Sequence, residues 1–213
     1  KINADRVLEV QPELQRGMDF AQRLARVGSG RYINLGSDDQ LKDWFYRVQG
    51  YPVQRNKDTK KPTTDDDAVG VLREHVGPPF DAKEDLTMEM ALDRVLAGAD
   101  PVLEARVLYV QHEHILNNYI FPLHKEVRGG NGKSGTNVRK RLHKSHGQWS
   151  RGDLSLRIYP SIAIHVQKSG RHSTSDPPLA QIPAEYRDLF QPDPGTIWLK
   201  WDWSAIEPRL LEA

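Results

Sequence analysis

Apolar residues recur every three or four positions along the first part of the chain, which is the spacing of one face of a helix. The first such run extends from Val7 to Leu24 and stops at the glycine-rich residues 28–30. A second run extends from Leu41 to Val48. The pattern therefore predicts two amphipathic helices at the start of the chain.

Local residue chemistry predicts where further helices begin. Ser37, three residues before Gln40, has the spacing of a capping box for the second helix. The three aspartates at 65–67 suit the first turn of a third helix, because a helix N-terminus favours negative charge. Residues 92–96 predict a fourth helix, and the Asp-Pro pair at 100–101 predicts a cap followed by proline at the first position of a fifth.

After residue 151 the apolar period changes to two. Residues 154–158 and 162–166 alternate apolar with polar side chains, as half-buried strands do. Residues 196–203 are rich in Ile, Trp and Leu and also predict a strand. Residues 170–177 are polar and predict a turn.

Residues 128–151 separate the helical part of the chain from the strands. They hold seven Lys or Arg and no Asp or Glu, and they show no helical or strand period, which predicts an exposed basic loop. The chain is thus predicted to contain a helical region at 1–152 and the start of a sheet-containing region at 153–213. The predicted fold class is α+β.

Composition excludes several classes of protein. The chain has no cysteine, so a disulfide framework and a thiolate zinc site are excluded. No apolar stretch has the length of a membrane span. The net charge of +1 does not by itself predict a polyanionic partner, whereas the basic loop suits a nucleic-acid backbone or is simply solvated.

Asp202 is the first candidate for chemistry. It stands at the end of the last predicted strand, just before a second capping box formed by Ser204 and Glu207. A carboxylate on so rigid an element could hold a hard cation such as Mg²⁺ through oxygen. The alternative is that Asp202 belongs to an ordinary turn and that Glu207 only caps the helix.

Several segments resemble family A (polymerase I-like) DNA polymerases. Residues 200–209, Lys-Trp-Asp-Trp-Ser-Ala-Ile-Glu-Pro-Arg, resemble the family's Asp-aromatic-Ser-x-Ile-Glu-x-Arg motif. Residues 170–183, Gly-Arg-His-Ser-Thr-Ser-Asp-Pro-Pro-Leu-Ala-Gln-Ile-Pro, resemble its Gly-Arg-Leu-Ser-Ser-x-x-Pro-Asn-Leu-Gln-Asn-Ile-Pro segment. Residues 32–37, 61–64 and 119–123 resemble its thumb.

The resemblance implies a fold and a catalytic role. The helical region would be a thumb subdomain, and residues 153–213 would be the first antiparallel strands of a palm, truncated before the fingers. Asp202 would ligate two Mg²⁺ ions during template-directed addition of deoxynucleotides to a primer 3′-OH. Glu207, Trp203 and Ser204 would lie at the incoming nucleotide, with Glu207 selecting the deoxyribose.

The resemblance and the basic charge also imply contacts with primer-template DNA. In the sheet-containing region the implied contact residues are Arg171, Ser173, Thr174 and Gln181. In the helical region they are Lys57, Lys60, Lys61, Asn117, Asn118, Arg139, Lys140 and Arg141.

The family's second metal-binding aspartate and its fingers helix have no counterpart in this sequence. Asp202 alone cannot complete the binding of two metal ions, so we expect the chain to be inactive alone and to belong to a longer protein or to work with a second polypeptide. The implied partners are primer-template DNA and deoxynucleoside triphosphates, and no membrane partner is expected. The implied location is the cytoplasm, at the nucleoid or in a phage-infected cell. The alternatives are a non-catalytic DNA-binding module derived from a polymerase and a structural protein without a nucleic-acid role.

Overall fold

The computed structural model describes residues 2–81, 85–123, 161–163, 173–175, 178–192 and 195–199. The chain divides into two compact units, one of residues 8–125 and the other of residues 1–7 with 126–213. The boundary predicted at residue 152 lies outside the described residues and stays a prediction.

Helices form most of the described part of the unit at 8–125. They are α1 (Ala4–Ser29, which begins before residue 8), α2 (Asp38–Lys42), α3 (Asp66–Val76), α4 (Met88–Leu96) and α5 (Pro101–Ile115). Wider π-helical turns extend α2 over Asp43–Val48 and α5 over Leu116–Ile120. The five helices predicted from the sequence are therefore confirmed.

The cap predicted for α5 is confirmed in atomic detail. Asp100 accepts hydrogen bonds from the backbone N–H groups of Val102 at 2.7 Å and Leu103 at 3.0 Å, and Pro101 takes the first helical position. Two otherwise unpaired donors of the helix are thereby satisfied.

The capping box predicted at Ser37 is wrong. Ser37 occupies the N-cap position of α2, but its side chain makes no capping hydrogen bond. Its N–H donates to the carbonyl of Asn34 at 3.0 Å, which forms a tight turn. Because this turn brings the backbone of Asn34 close, Gln40 accepts from the Asn34 N–H at 2.8 Å instead of from the cap residue.

The core of the helical unit lies where α1, α2, α3 and α5 meet. Phe45, Leu72 and Leu108 are fully buried there, and Ala21 and Ala25 are the fully buried contributions of α1. Burying a large apolar side chain stabilises the fold by roughly 1.5–3 kcal/mol. The core therefore accounts for the packing of these helices. Because the core residues of α1 are small, its backbone can come close to the neighbouring helices.

Two glycines of α1 lie directly against residues of α5. A Cβ atom placed on Gly17 would lie 2.3 Å from Nε2 of His112, and one placed on Gly28 would lie 2.3 Å from Cβ of Pro101. Both distances are shorter than any ordinary contact. The two helices are therefore in contact at both ends of the same interface.

A buried charged cluster joins α3, α4 and α5. Glu104, which is 1% exposed, accepts two hydrogen bonds from Arg73, at 3.1 and 2.7 Å. Arg94 donates to the same carboxylate at 3.1 Å and to the carbonyl of Pro79 at 3.1 Å. The ring of Phe80 covers both guanidinium groups, at 4.0 Å from Arg73 and 5.1 Å from Arg94. The buried carboxylate of Glu104 is thus compensated by two guanidinium groups, as the burial of a charge requires.

The described residues of the other unit contain a small antiparallel sheet. Strand β1 (Ser161–Ala163) pairs with strand β2 (Ser173–Ser175), and a 3-10 helix over Leu179–Gln181 packs on β2. A second 3-10 helix spans Ala184–Leu189. Helices with an antiparallel sheet confirm the α+β class.

Residues near the start of the chain pack on the second 3-10 helix of this unit. Ile2 forms an antiparallel bridge with Phe190, and the N–H of Asn3 donates to the carbonyl of Leu189 at 2.8 Å. Arg6 pairs with Asp188 at 2.7 Å. The N-terminal segment is therefore part of this unit although it also begins α1.

The strand predictions have mixed outcomes. The strand predicted at 162–166 is confirmed over 162–163, the part of it that the structure describes, whereas 154–158 lie outside the described residues. The turn predicted at 170–177 is wrong over 173–175, which form β2 although these three polar residues show no apolar alternation. The strand predicted at 196–203 is wrong over 196–199, which have no regular structure and expose Ile197, Trp198 and Leu199. Strand propensity alone does not form a strand without a hydrogen-bonding neighbour.

Across the described residues, no helix combines the length and the apolar character that a membrane-spanning helix needs.

Candidate nucleic-acid interface

Residues 55–61, here called the lysine loop, are closed by their own backbone. Arg55 and Pro62 form an antiparallel bridge. Inside it, the N–H of Asn56 donates to the carbonyl of Lys61 and the N–H of Lys60 donates to the carbonyl of Asn56, both at 3.0 Å. The loop is therefore closed without using the side chains of its lysines.

The Asn56 side chain shapes the tip of the lysine loop. Its carbonyl oxygen accepts from the N–H groups of Asp58 and Thr59, both at 3.0 Å, in the manner of an Asx turn. Lys60 then takes the left-handed conformation, with φ of 59°, and Arg55 donates to its carbonyl at 3.0 Å. Lys57, Lys60 and Lys61 are exposed on this ordered turn.

Acidic residues reduce the positive charge around the lysine loop. Residues 55–61 hold four basic residues and one acid, but 65–67 are three consecutive aspartates. Lys57 lies 3.4 Å from Asp67, with the two side chains 89% and 85% exposed. An ion pair this exposed to solvent contributes little to stability. It does place a carboxylate beside one of the lysines, which leaves Lys60 and Lys61 as the stronger candidates for a phosphate contact.

The base of the lysine loop is anchored to α2. Thr64, which is 1% exposed, donates to Asp38 from its N–H at 3.2 Å and from its hydroxyl. The Tyr46 hydroxyl donates to the carbonyl of Thr63. Burial acts to raise the pKa of Asp38, but hydrogen bonds from Lys42 and Thr64 outweigh it and hold that pKa below its ordinary value. A charged Asp38 therefore holds the loop to the helix.

Asn117 and Asn118 lie on the π-helical turn that extends α5. Both are exposed, whereas Leu116 and Tyr119 on either side of them are buried. The amide nitrogen of Asn118 lies 3.0 Å from Nδ1 of His114. The turn thus presents two adjacent amides to solvent, and amide groups can hydrogen-bond to nucleic-acid backbone or base edges.

Ser173, Thr174 and Gln181 lie in neighbouring elements of the other unit. In the sheet Ser173 pairs with Ala163 and Thr174 with Ile162. Gln181 is exposed at the end of the 3-10 helix that packs on β2. The structure therefore brings these three predicted residues into one local cluster.

The remaining predicted site residues lie outside the described residues: Asp202, Trp203, Ser204, Glu207, Arg171, Arg139, Lys140 and Arg141. Their roles stay predictions. Within the residues that the structure does describe, no group of three His, Asp or Glu side chains could hold a metal ion.

The sequence interpretation missed the residues that organise the lysine loop. It singled out the lysines by their charge, whereas Asn56 and Arg55 give the loop its shape and Asp67 modifies its charge. Asparagine followed by a short polar stretch is a turn signal that could have identified Asn56. No sequence signal relates Asp67 to Lys57, because their contact depends on how the loop folds back on α3.

No protein-family model and no curated protein matches this sequence. Among solved structures, 32 chains match. One is the POL domain of Pol1 from M. smegmatis, solved in complex with DNA primer-template and dNTP, with a TM-score of 0.51 and 17% sequence identity. The similarity covers 89% of this chain and 25% of that chain, so it shows a shared fold with a quarter of the solved chain.

Proposed function

We propose that this chain is part of a family A DNA-directed DNA polymerase, with the helical unit acting as a thumb that binds primer-template DNA. The observation that carries the proposal is the fold similarity, over 89% of the chain, to a POL domain solved with primer-template and dNTP. Support from the sequence comes from residues 170–183 and 200–209, which resemble two motifs of that family.

The lysine loop is the proposed contact with the duplex backbone. Each phosphate that Lys60 or Lys61 neutralises releases condensed counterions, which favours binding irrespective of base sequence. A polymerase needs such contacts, because it must hold every primer-template. The hydrogen bonds of Asn56 order the loop before DNA arrives, so binding loses little conformational entropy there.

Asp202 is the proposed catalytic residue. The segment at 200–209, which resembles the family's motif, contains Asp202, and a carboxylate is a donor that Mg²⁺ prefers. Bound Mg²⁺ would supply Lewis-acid activation of the primer 3′-OH and charge stabilisation of the leaving pyrophosphate. Glu207 would exclude a ribose 2′-OH, and Trp203 with Ser204 would flank the nucleotide.

Binding of fluorescently labelled primer-template at low salt tests the proposed interface. Replacing Lys60 and Lys61 with Ala should weaken binding and reduce the slope of log K against log salt by about 2, roughly one unit per lost phosphate contact. Asp67→Asn should strengthen binding, because it removes the carboxylate beside Lys57.

The matched control is Arg23→Ala, which removes an exposed basic side chain from α1. If it weakens binding as much as the double lysine variant does, the lysine loop is not the contact. No binding of the wild-type chain even at low salt would favour a structural protein.

Primer extension tests the chemistry separately from binding. A protein that contains this chain together with fingers and a second metal-binding acid should extend a primer, and Asp202→Asn should abolish extension while leaving primer-template binding in place. Binding without extension in the wild-type protein would instead favour the non-catalytic DNA-binding module.

A further inference from the structure

The outer face of α4 carries an apolar stripe. Met88, Leu92 and Leu96 follow one another at four-residue spacing and are 42%, 43% and 85% exposed. Ala91, which is fully buried, anchors the inner face of the same helix. At 3.6 residues per turn Leu96 lies about 140° from Ala91 around the helix axis, so it is not at the edge of the core.

Two carboxylates run beside this stripe. Glu89 and Asp93 are exposed and also lie four residues apart, so they form a second line along the same helix. A single exposed leucine is ordinary, but three large apolar side chains in line next to two acids form an organised surface.

We propose that the outer face of α4 docks into an apolar groove on a partner protein whose edge carries Lys or Arg. An amphipathic helix that presents apolar side chains one turn apart binds in this way to hydrophobic grooves. The acidic line on one flank adds a charge preference, which selects a groove with basic residues along one edge and sets the direction of the helix in it. This inference does not depend on the proposed polymerase function.

Charge argues against DNA and against a second copy of this chain as occupants of this face. Glu89 and Asp93 would repel the phosphates of DNA. In a symmetric antiparallel pairing of two α4 helices, the two-fold axis places the same flank of each helix side by side. The carboxylates of one copy would then face those of the other, which is unfavourable.

The attachment of α4 to its own unit suits a docking element. Arg94 ties the helix to the buried Glu104 and to the carbonyl of Pro79, and Thr87 caps its start by accepting from the N–H of Met90 at 3.2 Å. The helix is therefore held by contacts on its inner side. Binding on the outer side requires none of them to break.

A designed helical hairpin with a leucine-lined groove flanked by lysines is the probe for this surface. We expect it to bind the wild-type chain in a fluorescence anisotropy titration. Leu92→Ser with Leu96→Ser should weaken binding at least tenfold. Glu89→Gln with Asp93→Asn should weaken it severalfold and reduce its dependence on salt.

Two controls accompany these variants. Val48→Ser removes an exposed aliphatic side chain from another helix and should leave binding unchanged. A hairpin with glutamates in place of the lysines should not bind. All substituted side chains are exposed, so circular dichroism should show the same helix content in every variant.

Three results would overturn the proposal. The first is hairpin binding that survives loss of both leucines and both carboxylates. The second is a wild-type dimer in sedimentation that the leucine substitutions dissociate, which would identify a second copy as the occupant. The third is a loss of primer-template affinity in the leucine variant, which would identify DNA.

Discussion

Gly17 is required by the residue it contacts rather than by its own backbone. Glycine inside a helix costs roughly 0.5–1 kcal/mol relative to alanine. At this position a Cβ would lie 2.3 Å from Nε2 of His112, whose protonated Nδ1 donates to the carbonyl of Leu108 at 2.7 Å. The imidazole ring could make room only by giving up that hydrogen bond.

Gly17→Ala should therefore lower the free energy of unfolding by about 1–3 kcal/mol, the usual cost of overpacking. Gly70→Ala is the matched control, because Gly70 lies in α3 and a Cβ there would meet no atom within 4 Å. Gly70→Ala should raise the free energy of unfolding by roughly 0.4–1 kcal/mol, because alanine lowers the conformational entropy of the unfolded chain. Urea unfolding measures both changes, and a shift of the same sign in the two variants would contradict the account.

Tyr51 makes the stability of the helical unit sensitive to alkaline pH. Burial first, and then the hydrogen bond to Asp100 at 2.6 Å, raise the pKa of its hydroxyl well above the ordinary value of 10.0. Below pH 10 the tyrosine is neutral in both the folded and the unfolded state, and its contribution is fully present. Above that pH the unfolded tyrosine ionises while the folded one keeps its proton, so the contribution is lost as pH rises.

The free energy of unfolding should thus fall as pH rises above 10, and Tyr51→Phe should make that fall shallower. At neutral pH the variant should lose about 0.5–1.5 kcal/mol with the hydrogen bond. Urea unfolding between pH 8 and pH 11 measures both effects. An identical pH dependence in the two proteins would rule out Tyr51 as a contributor.

Among the elements, those determined by neighbouring residues were predictable from the sequence. The Asp-Pro pair at 100–101 starts α5 as expected, because the cap uses only backbone groups two and three residues away. The reciprocal bond expected from the Ser37 N–H to Gln40 is missing because a turn at Asn34 supplied another donor for the Gln40 side chain. The spacing of a capping box does not show that a second backbone N–H competes for the Gln40 side chain.

Elements that depend on distant partners were not predictable from the sequence. β2 is a strand because it pairs with β1, although its residues are Ser, Thr and Ser. Residues 196–199 have strand-forming side chains and form no strand. The apolar period predicted a helix at 92–96, the second half of α4, yet it gave no sign that Leu92 and Leu96 would lie on the exposed face.

The lysine loop allows stability and DNA binding to be changed in opposite directions. Lys60 has φ of 59°, a conformation that costs a residue with a side chain about 1–2 kcal/mol. Lys60→Gly should therefore stabilise the chain and, by removing a proposed phosphate contact, weaken primer-template binding.

Lys61→Gly is the matched variant for this prediction, because Lys61 does not have a positive φ. It should weaken binding without any gain in stability. Thermal unfolding and anisotropy on the same samples separate the two effects. Equal stability of the two glycine variants would mean that the left-handed conformation of Lys60 is not strained.

At the scale of the whole molecule, the hydrophobic core that the described residues form belongs to one unit. Its buried residues lie between Ala21 and Leu108, inside the unit at 8–125. A unit that contains its own core can fold alone. A fragment of residues 8–125 should therefore unfold cooperatively in urea with a helical circular dichroism spectrum, and it should keep the binding contribution of the lysine loop.

A non-cooperative transition in that fragment would show that its core needs the other unit. The candidate catalytic residues would be absent from the fragment in either case. Their positions could not be predicted beyond the motif resemblance, because a site that gathers residues distant in sequence depends on how the whole chain folds.

The charged cluster around Glu104 gives the helical unit a particular response to temperature. Hydration of charged groups carries a strongly negative entropy, so the cost of removing Arg73, Glu104 and Arg94 from water falls on warming. Hydrophobic stabilisation meanwhile levels off. The charged cluster between α3, α4 and α5 thus strengthens relative to the rest of the core as the protein is heated.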